Sequence, residues 1–573
     1  MLLWDDLVAR SVITCPEGGW KPTAVSAAVE AILVDAAVPV ERQVVGHSFE
    51  GRPIELLTLG EGPKRAMMWS QMHGDEPTHT SALLNLLRLL TAADSPAEKL
   101  LRGLTIGMIL PLNPDGAERN TRQNAQGIDI NRDALDFATS EGRAFRAAIE
   151  GFKPDYGFNL HNQRHRLAVG KPPEPASVSL LVPPLDVEDT QTDTVREANR
   201  VAAVFCERVR EHCGGRVSRY GADFMARAFG EWVQRQGVSI ILVEAGGWPG
   251  SDFKTLEEIH FAAFAQTLEA IAATALGESD GLDACDPDSY LTLPRSSEYL
   301  LYDLVIRGRG VAQLPADSDE ATLADAAIGV DFPSRKAGVR CERGLVTGLG
   351  DLHENGGVDV LESDGVVLPG RILLATPSED AFDESPADWE SLAGSGATTV
   401  LIPIDLAAGG VEHQVAVAKR LKAPLNAALI ARWDGELEGT DKGLILRRLT
   451  QGLAGGVVAT IGPLPQKLVE ACCRMGLPAV DPETIPTRHD APPATVDDWL
   501  VETRRVADQL RWEERGRLGL NTPADIVLVD PQDNAIAQDC LRAVLVGGTV
   551  VRDADGLNHD SPGQWIPWGG PKG

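Results

Sequence analysis

The residues with the clearest chemical content are His73 and Glu76, in the stretch Ala66–Ala82 (AMMWSQMHGDEPTHTSA). An imidazole and a carboxylate three residues apart can share one zinc ion, but the shell needs a third protein ligand, with water in the open position. An HxxE tetrapeptide alone has little specificity, because most such pairs are solvated turn residues. Two further groups occur where they could complete it. His161 follows the apolar DYGFNL at 155–160, and Glu244 follows VSIILV at 238–243, just ahead of Gly246-Gly247. A carboxylate at the end of a buried strand is costly unless used or paired, and burial raises its pKa toward the range useful in acid/base chemistry. Between these groups runs ERNTRQNAQGIDINRDALD, with Arg122, Asn124, Asn131 and Arg132. Arginine can grip a carboxylate through two parallel bonds, and a neighbouring asparagine can add a donor. The alternative is a solvated loop with incidental charges.

The chain must bring these residues to one place. Ala66–Trp69 reads as a buried strand, followed by a tight turn at Gly74 and a helix opening near Pro77, with SALLNLLRLL at helical spacing. His73 and Glu76 then project from the carboxyl end of a strand, the edge where open α/β sheets place their ligands. Residues 20–38 have helical periodicity, and strands are expected at 40–45 and 54–59, on either side of the turn-like HSFEGRP. Leu104–Leu110 is a continuous apolar run suited to a buried parallel strand. It ends in PLNPDG, a dense turn signal. With strands at 155–160 and 238–243, the alternation implies a mixed, mainly parallel sheet flanked by helices. His161 then falls on the same edge as His73 and Glu76, which makes it the natural third ligand. Helical periodicity runs through His260–Ala275, and GESDG at 277–281 reads as a linker ending a first domain near residue 278.

Taken together, HGDE at 73–76, NPDG at 113–116, RxNxxGIDINR at 122–132, His161, Glu244 before two glycines, and GHSFEGRPIELLTLG at 46–60 resemble the zinc carboxypeptidase family. The resemblance covers about residues 38–275. It implies a carboxypeptidase-like α/β fold and one zinc per chain, bound by His73, Glu76 and His161. It also implies that Glu244 is the general base, deprotonating the attacking water and passing the proton to the leaving amine. Arg122 would stabilise the oxyanion, and Asn131 and Arg132 would clamp a terminal carboxylate. The family's tyrosine, some twenty residues before the catalytic glutamate, has Tyr220 as its candidate, although alignment on GEW at 230–232 brings Asp223 nearer that slot. The implied activity is hydrolysis of a C-terminal amide bond of a peptide or peptide-like substrate. A related alternative is deacylation of N-acyl amino acids, which also present a free carboxylate. Arg164, His165 and Arg166 could favour an acidic group or belong to a solvated basic loop. Asp75 and His79 flank the ligands; their expected role is local turn and helix polarity, with ligand orientation as the alternative.

A chain of 573 residues is too long for one core. Its hydrophobic content of 43% and charged content of 24% are ordinary for a soluble protein. A formal charge of −30 argues against nucleic acid or an anionic membrane as the main partner. Eight scattered cysteines without CxxC spacing suit a reduced compartment. MLLWDDLVARSV places Asp5 and Asp6 where a signal peptide would need basic and then apolar residues. With no apolar run near the ~18 residues of a membrane span, the expected location is the cytoplasm. From Tyr302 the texture changes to short strands with close turns, suggesting a small β-sandwich. The pieces at about 299–370 and 516–556, around an α/β segment at 371–515, resemble an amidohydrolase-superfamily module. Where that superfamily carries an Asp and then HxH, this chain has Leu373, Ala375 and Pro377, and His353, His413, His489 and His559 show no ligand spacing. Residues 279–573 are therefore expected to hold no metal centre. They would cover the active-site rim, form a homo-oligomer or bind a ligand, and the third reading is a protein that mainly binds or scaffolds through residues 290–573, with catalysis secondary.

Overall fold

A computed structural model describes residues 2–313, apart from 17, 222, 250–252 and 299, and a set of segments between 322 and 557. The described chain forms two compact units, the first built on Met1–Tyr302.

The first unit is organised by an eight-stranded sheet. Its strands are β1 (Glu41–His47), β2 (Pro53–Leu59), β3 (Lys64–Trp69), β4 (Leu104–Ile109), β5 (Tyr156–Asn162), β8 (Val178–Leu181), β9 (Val217–Arg219) and β10 (Ser239–Ala245), with β6 (Ala168–Val169) and β7 (Glu174–Pro175) forming a separate small hairpin. The spatial order is β1-β2-β4-β3-β5-β10-β8-β9. The centre β4-β3-β5-β10 is parallel throughout, whereas β1, β2 and β8 join their inner neighbours antiparallel. This is the mixed, mainly parallel sheet expected from the alternation.

Successive side chains of the central strands enter opposite layers, as the period of two requires. Ala66 and Met68 join Leu57, Leu59, Ile241 and Val243 in one core, while Met67 and Trp69 join Ile54, Leu56 and Ile240 in the other. The first layer is completed by α1 (Trp4–Ala9), α2 (Pro22–Val34), α3 (Thr78–Thr91), α4 (Glu98–Gly103), α7 (Asp193–Arg210) and α9 (Phe253–Leu276), and the second by α6 (Ser140–Phe152) and α8 (Phe229–Arg235). The short α5 (Pro114–Arg119) lies on the site edge after β4.

Three features differ from the sequence expectation. First, α9 is long and apolar enough to cross a membrane by composition, although no run near that length was anticipated; 83% of its apolar window is buried, so it is a core helix. Second, β5 and β10 extend further than their apolar runs, so His161 and Glu244 lie inside strands instead of after them. Third, the first unit continues past the linker-like 277–281 stretch: Val182 N–H donates to the Tyr290 hydroxyl at 2.9 Å, and Ala168 N–H donates to Ser297 O at 2.8 Å.

In the second unit, strands from both flanks enter one nine-stranded sheet, joined where Gly356–Pro369 pairs antiparallel with Ile526–Val529. Between them in sequence is a five-stranded parallel sheet in chain order, from Arg371–Leu374 to Ala479–Val480. Leu373 lies in the first of these strands. Ala375, Pro377, His413, His489 and His559 lie outside the described residues. His353 does have carboxylate neighbours: its Nδ1 is 2.5 Å from Asp351, and Asp325 completes a group within 4.8 Å. Asp351 and His353 are exposed turn residues, an ordinary surface ion pair.

Candidate metal centre

The parallel strands β3, β4, β5 and β10 all end on one edge, and the candidate residues gather there. After Trp69 the chain leaves β3 and is tied at once to the segment after β4. Leu112 N–H donates to Ser70 O at 3.0 Å, Asn113 N–H to Gln71 O at 3.0 Å, and the Asn113 side-chain amide to Met72 O at 3.2 Å. Gly74 lies against the backbone of Gly116, and a Cβ there would fall 1.9 Å from the Gly116 carbonyl carbon. The turn carrying His73 and Glu76 is thus clamped onto the NPDG segment. That segment is anchored in turn by Asp115, which accepts from Ser48 Oγ at 2.7 Å, Glu50 N at 2.9 Å and Arg52 Nη1 at 2.6 Å. The NPDG and HSFEGRP motifs therefore serve to hold the ligand turn.

His73, Glu76 and His161 come together and are each 2% exposed. His73 Nδ1 is 2.9 Å from Glu76 Oε1, and His161 Nδ1 is 2.9 Å from Glu76 Oε2. The two Nδ1 atoms are 3.2 Å apart. Arg122 Nη1 donates to His73 Nδ1 at 3.1 Å, and His73 Nε2 faces Asp129 Oδ1 at 3.1 Å. This network assigns the proton of neutral His73 to Nε2 and turns the Nδ1 lone pair inward. Two imidazole nitrogens and a buried carboxylate all direct acceptor atoms to one point, an arrangement that needs a positive charge among them. The set fits a divalent cation of the zinc type, which takes N and O ligands.

The protonation tendencies agree. Burial works to lower the pKa of His73, but Glu76 and Asp129 outweigh it and the net shift is upward. His161 goes downward, because burial exceeds the pull of Glu76. Asp129 is driven well below the usual carboxylate range; burial opposes this, and the hydrogen bonds and charges of His73 and Arg122 prevail.

Glu244 stands on β10 directly beside His161 on β5, its register partner in the parallel ladder. It is 7% exposed. The close turn that follows depends on its glycines: a Cβ on Gly246 would meet Ala176 O at 2.0 Å, and one on Gly247 would meet His165 O at 2.2 Å. Tyr220, in the loop after β9, packs against Leu167, Val169 and Ala176. The Glu244 carboxylate and burial push its phenol up to about 12, with Glu76 contributing, so Tyr220 lies in electrostatic reach of both carboxylates.

Arg122, Asn124, Asn131 and Arg132 lie on the connecting segment 122–132. Asp129 holds Arg122 through Oδ2, at 3.1 Å from Nε and 2.9 Å from Nη2, and its Oδ1 accepts from Asn131 N–H at 3.0 Å. Asn131 Oδ1 is taken by Phe229 N–H at 2.9 Å, and Arg132 Nη1 donates to Asn131 O at 2.7 Å. Asn124 points away from the cluster, into a bond with Glu141 at 3.1 Å. Arg164 is on the rim, well exposed and 3.6 Å from Glu298. Asp129 had no role in the sequence reading, although GIDINR contains it. The signal available was an aspartate two residues before the Asn-Arg pair.

A parallel-centred sheet that presents a buried His–Glu–His set at its strand ends defines an α/β domain with a candidate metal site. Comparison with known proteins finds likenesses confined to part of the chain. Residues 35–164 match the family model described as zinc carboxypeptidase. Carboxypeptidase 2 of Trichophyton rubrum is 32% identical over 124 residues, which are 20% of this chain and 23% of that protein. An uncharacterised protein of Zymomonas mobilis is 31% identical over 93 residues, 16% of this chain and 24% of the relative. The chain thus spans about a quarter of the length of the curated relatives it matches. Among solved structures, a metallo-carboxypeptidase from Burkholderia cenocepacia is similar at 20% identity and a TM-score of 0.35, covering 43% of this chain and 69% of that one.

Proposed function

We propose that the first unit is a zinc-dependent carboxypeptidase that hydrolyses the C-terminal amide bond of a peptide or peptide-like substrate. The observation that carries this reading is the convergence of three buried acceptor groups beside Glu244. The match of residues 35–164 to the zinc carboxypeptidase family model supports it. When bound by His73, Glu76 and His161, zinc supplies Lewis-acid polarisation and lowers the pKa of water.

The protein groups do the rest. Glu244 takes a proton from the attacking water as the new C–O bond forms. It returns that proton to the nitrogen as the C–N bond breaks. Arg122 presents its guanidinium at the edge of the cluster, where negative charge develops on the carbonyl oxygen. Asp129 keeps that guanidinium in place through two bonds. Asn131 and Arg132 hold the substrate carboxylate; because the Asn131 oxygen is committed to Phe229, its contribution is its NH₂ group. Tyr220, neutral at physiological pH, closes over the bound chain end as a hydrogen-bond donor.

Elemental analysis of protein purified without added metal tests the centre, with zinc near one per chain expected. Glu244→Gln is expected to remove turnover while zinc stays bound. Retained turnover in that variant overturns the assignment of the base, and absence of zinc overturns the metal reading.

A further inference from the structure

The two histidines of the cluster are not treated alike. Each turns Nδ1 toward Glu76 and Nε2 away from it. His73 Nε2 meets the carboxylate of Asp129 at 3.1 Å. His161 Nε2 is buried and has no hydrogen-bond partner among the described residues. A metal-binding histidine ordinarily gives its outer N–H to an acceptor, which fixes the tautomer and raises the basicity of the ligating nitrogen.

One turn beyond Glu76, on α3, stands His79. Its side chain is fully buried, and neither ring nitrogen has a hydrogen-bond partner among the described residues. It lies in electrostatic reach of His161 and of Glu76. The ends of the two elements are joined beside it: Asn162 Nδ2, next to His161, donates to Thr78 Oγ1, next to His79, at 2.6 Å. On its other side His79 stands edge-to-face with His260, ring centroids 4.5 Å apart, and near Phe264 at 5.8 Å. His260 is oriented in turn by a 2.7 Å bond from Nδ1 to Leu256 O. A neutral imidazole offers one donor and one acceptor. The apolar, aromatic packing holds His79 in that form.

We propose that His79 is a positioning residue for the metal centre: through one bridging water it supplies the acceptor that turns the Nε2–H of His161 outward and leaves Nδ1 for the ion. The inference rests on the metal reading above. The aromatic packing from His260 and Phe264 then fixes the plane of the His79 ring.

The test measures zinc affinity, by chelator competition, together with the melting temperature of the metal-free protein. His79→Phe keeps the ring volume and removes the acceptor, and should weaken zinc binding about 10–100-fold. Asn and Gln each place an amide near one of the two histidine nitrogens, so either His79→Asn or His79→Gln should recover most of that loss. His260→Leu perturbs the same packing without an acceptor facing His161, and should lower the melting temperature with little change in affinity. Unchanged affinity in His79→Phe overturns the proposal. So does a loss in Phe, Asn and Gln variants alike that follows their melting temperatures, since that marks a packing role. A loss on Asn162→Ala in place of His79→Phe assigns the acceptor to Asn162 and also overturns it. Failure of the wild-type protein to bind zinc is a separate result and overturns the metal reading itself.

Discussion

Asp129 carries two functions on two oxygens, so its variants should separate them. Oδ1 accepts from His73 Nε2 at 3.1 Å and from Asn131 N–H at 3.0 Å, while Oδ2 accepts from Arg122 at 3.1 and 2.9 Å. In Asp129→Asn one of these positions becomes an NH₂. The backbone N–H of Asn131 cannot turn away, and His73 can keep Nδ1 for metal only if it goes on donating from Nε2. Arg122, whose side chain is 37% exposed, can instead swing to water. The oxygen should therefore stay on the His73 side, leaving Arg122 facing a donor. A hydrogen bond to a charged group contributes about 1.5–3 kcal/mol; discounted for exposure, the loss is about 1–2 kcal/mol, or roughly 5–30-fold in kcat/KM. Zinc affinity should change little. Asp129→Ala removes both sets of bonds and should in addition weaken zinc binding about 10–100-fold. The assays are chelator competition and hydrolysis of a C-terminally free peptide at saturating zinc. Equal zinc affinity in the Ala variant and the wild type, or equal losses in the Asn and Ala variants, would refute the division of labour.

Other outcomes follow from the same geometry. Arg132→Ala should raise KM for a substrate with a free C-terminal carboxylate and leave the slow turnover of its amidated counterpart unaltered; equal effects on both substrates count against the clamp. Burial holds His260 down to about 4 from an unfolded value near 6.5. The neutral ring therefore costs nothing above pH 6.5, and stability is lost as pH falls from 6.5 through 4, by about 3 kcal/mol. Urea unfolding at pH 7 and pH 4 should show His260→Leu losing less on acidification than the wild type, and parallel losses would reject the assignment. Gly74→Ala drives a Cβ into the Gly116 backbone; thermal unfolding should report a loss of about 3 kcal/mol, and a melting temperature unchanged from wild type would show that the turn yields.

The sheet and the convergence of His73, Glu76 and His161 were legible because both are written in local patterns. The apolar runs at 66–69, 104–110, 155–160 and 238–243 became β3, β4, β5 and β10, and the polar residue at or just beyond each run fell on the same edge. What sequence could not supply was the partner of each polar group. Asp129 looks like any loop aspartate until His73, 56 positions earlier, is found beside it. His79 was expected to lend polarity to a helix face, yet Thr78, His79, Thr80, Ser81 and Asn85 are all buried. The N-terminal segment covers part of that face: Val12 and Ile13 N–H donate to Asn85 Oδ1 at 3.0 Å each, and Trp20 Nε1 donates to Ser81 Oγ at 2.7 Å. A helix whose polar stripe is covered by residues sixty or seventy positions away has the same periodicity as one facing water, and the distinction lies in tertiary structure alone.

The pairing of Glu244 with His161 across β10 and β5 has a consequence for how such a protein can diversify. Neighbouring strands hold a spacing of about 4.8 Å set by the peptide groups themselves, so the separation of the proposed base and the proposed ligand is inherited from the sheet and passes through no connecting segment. The residues that would meet a substrate, by contrast, lie on the connections at 122–132, 164–175 and 220–228. Insertions or exchanges there can redirect the choice of chain end while the proton-transfer distance stays fixed. Efforts to retarget the protein should vary those connections and leave the two strands untouched.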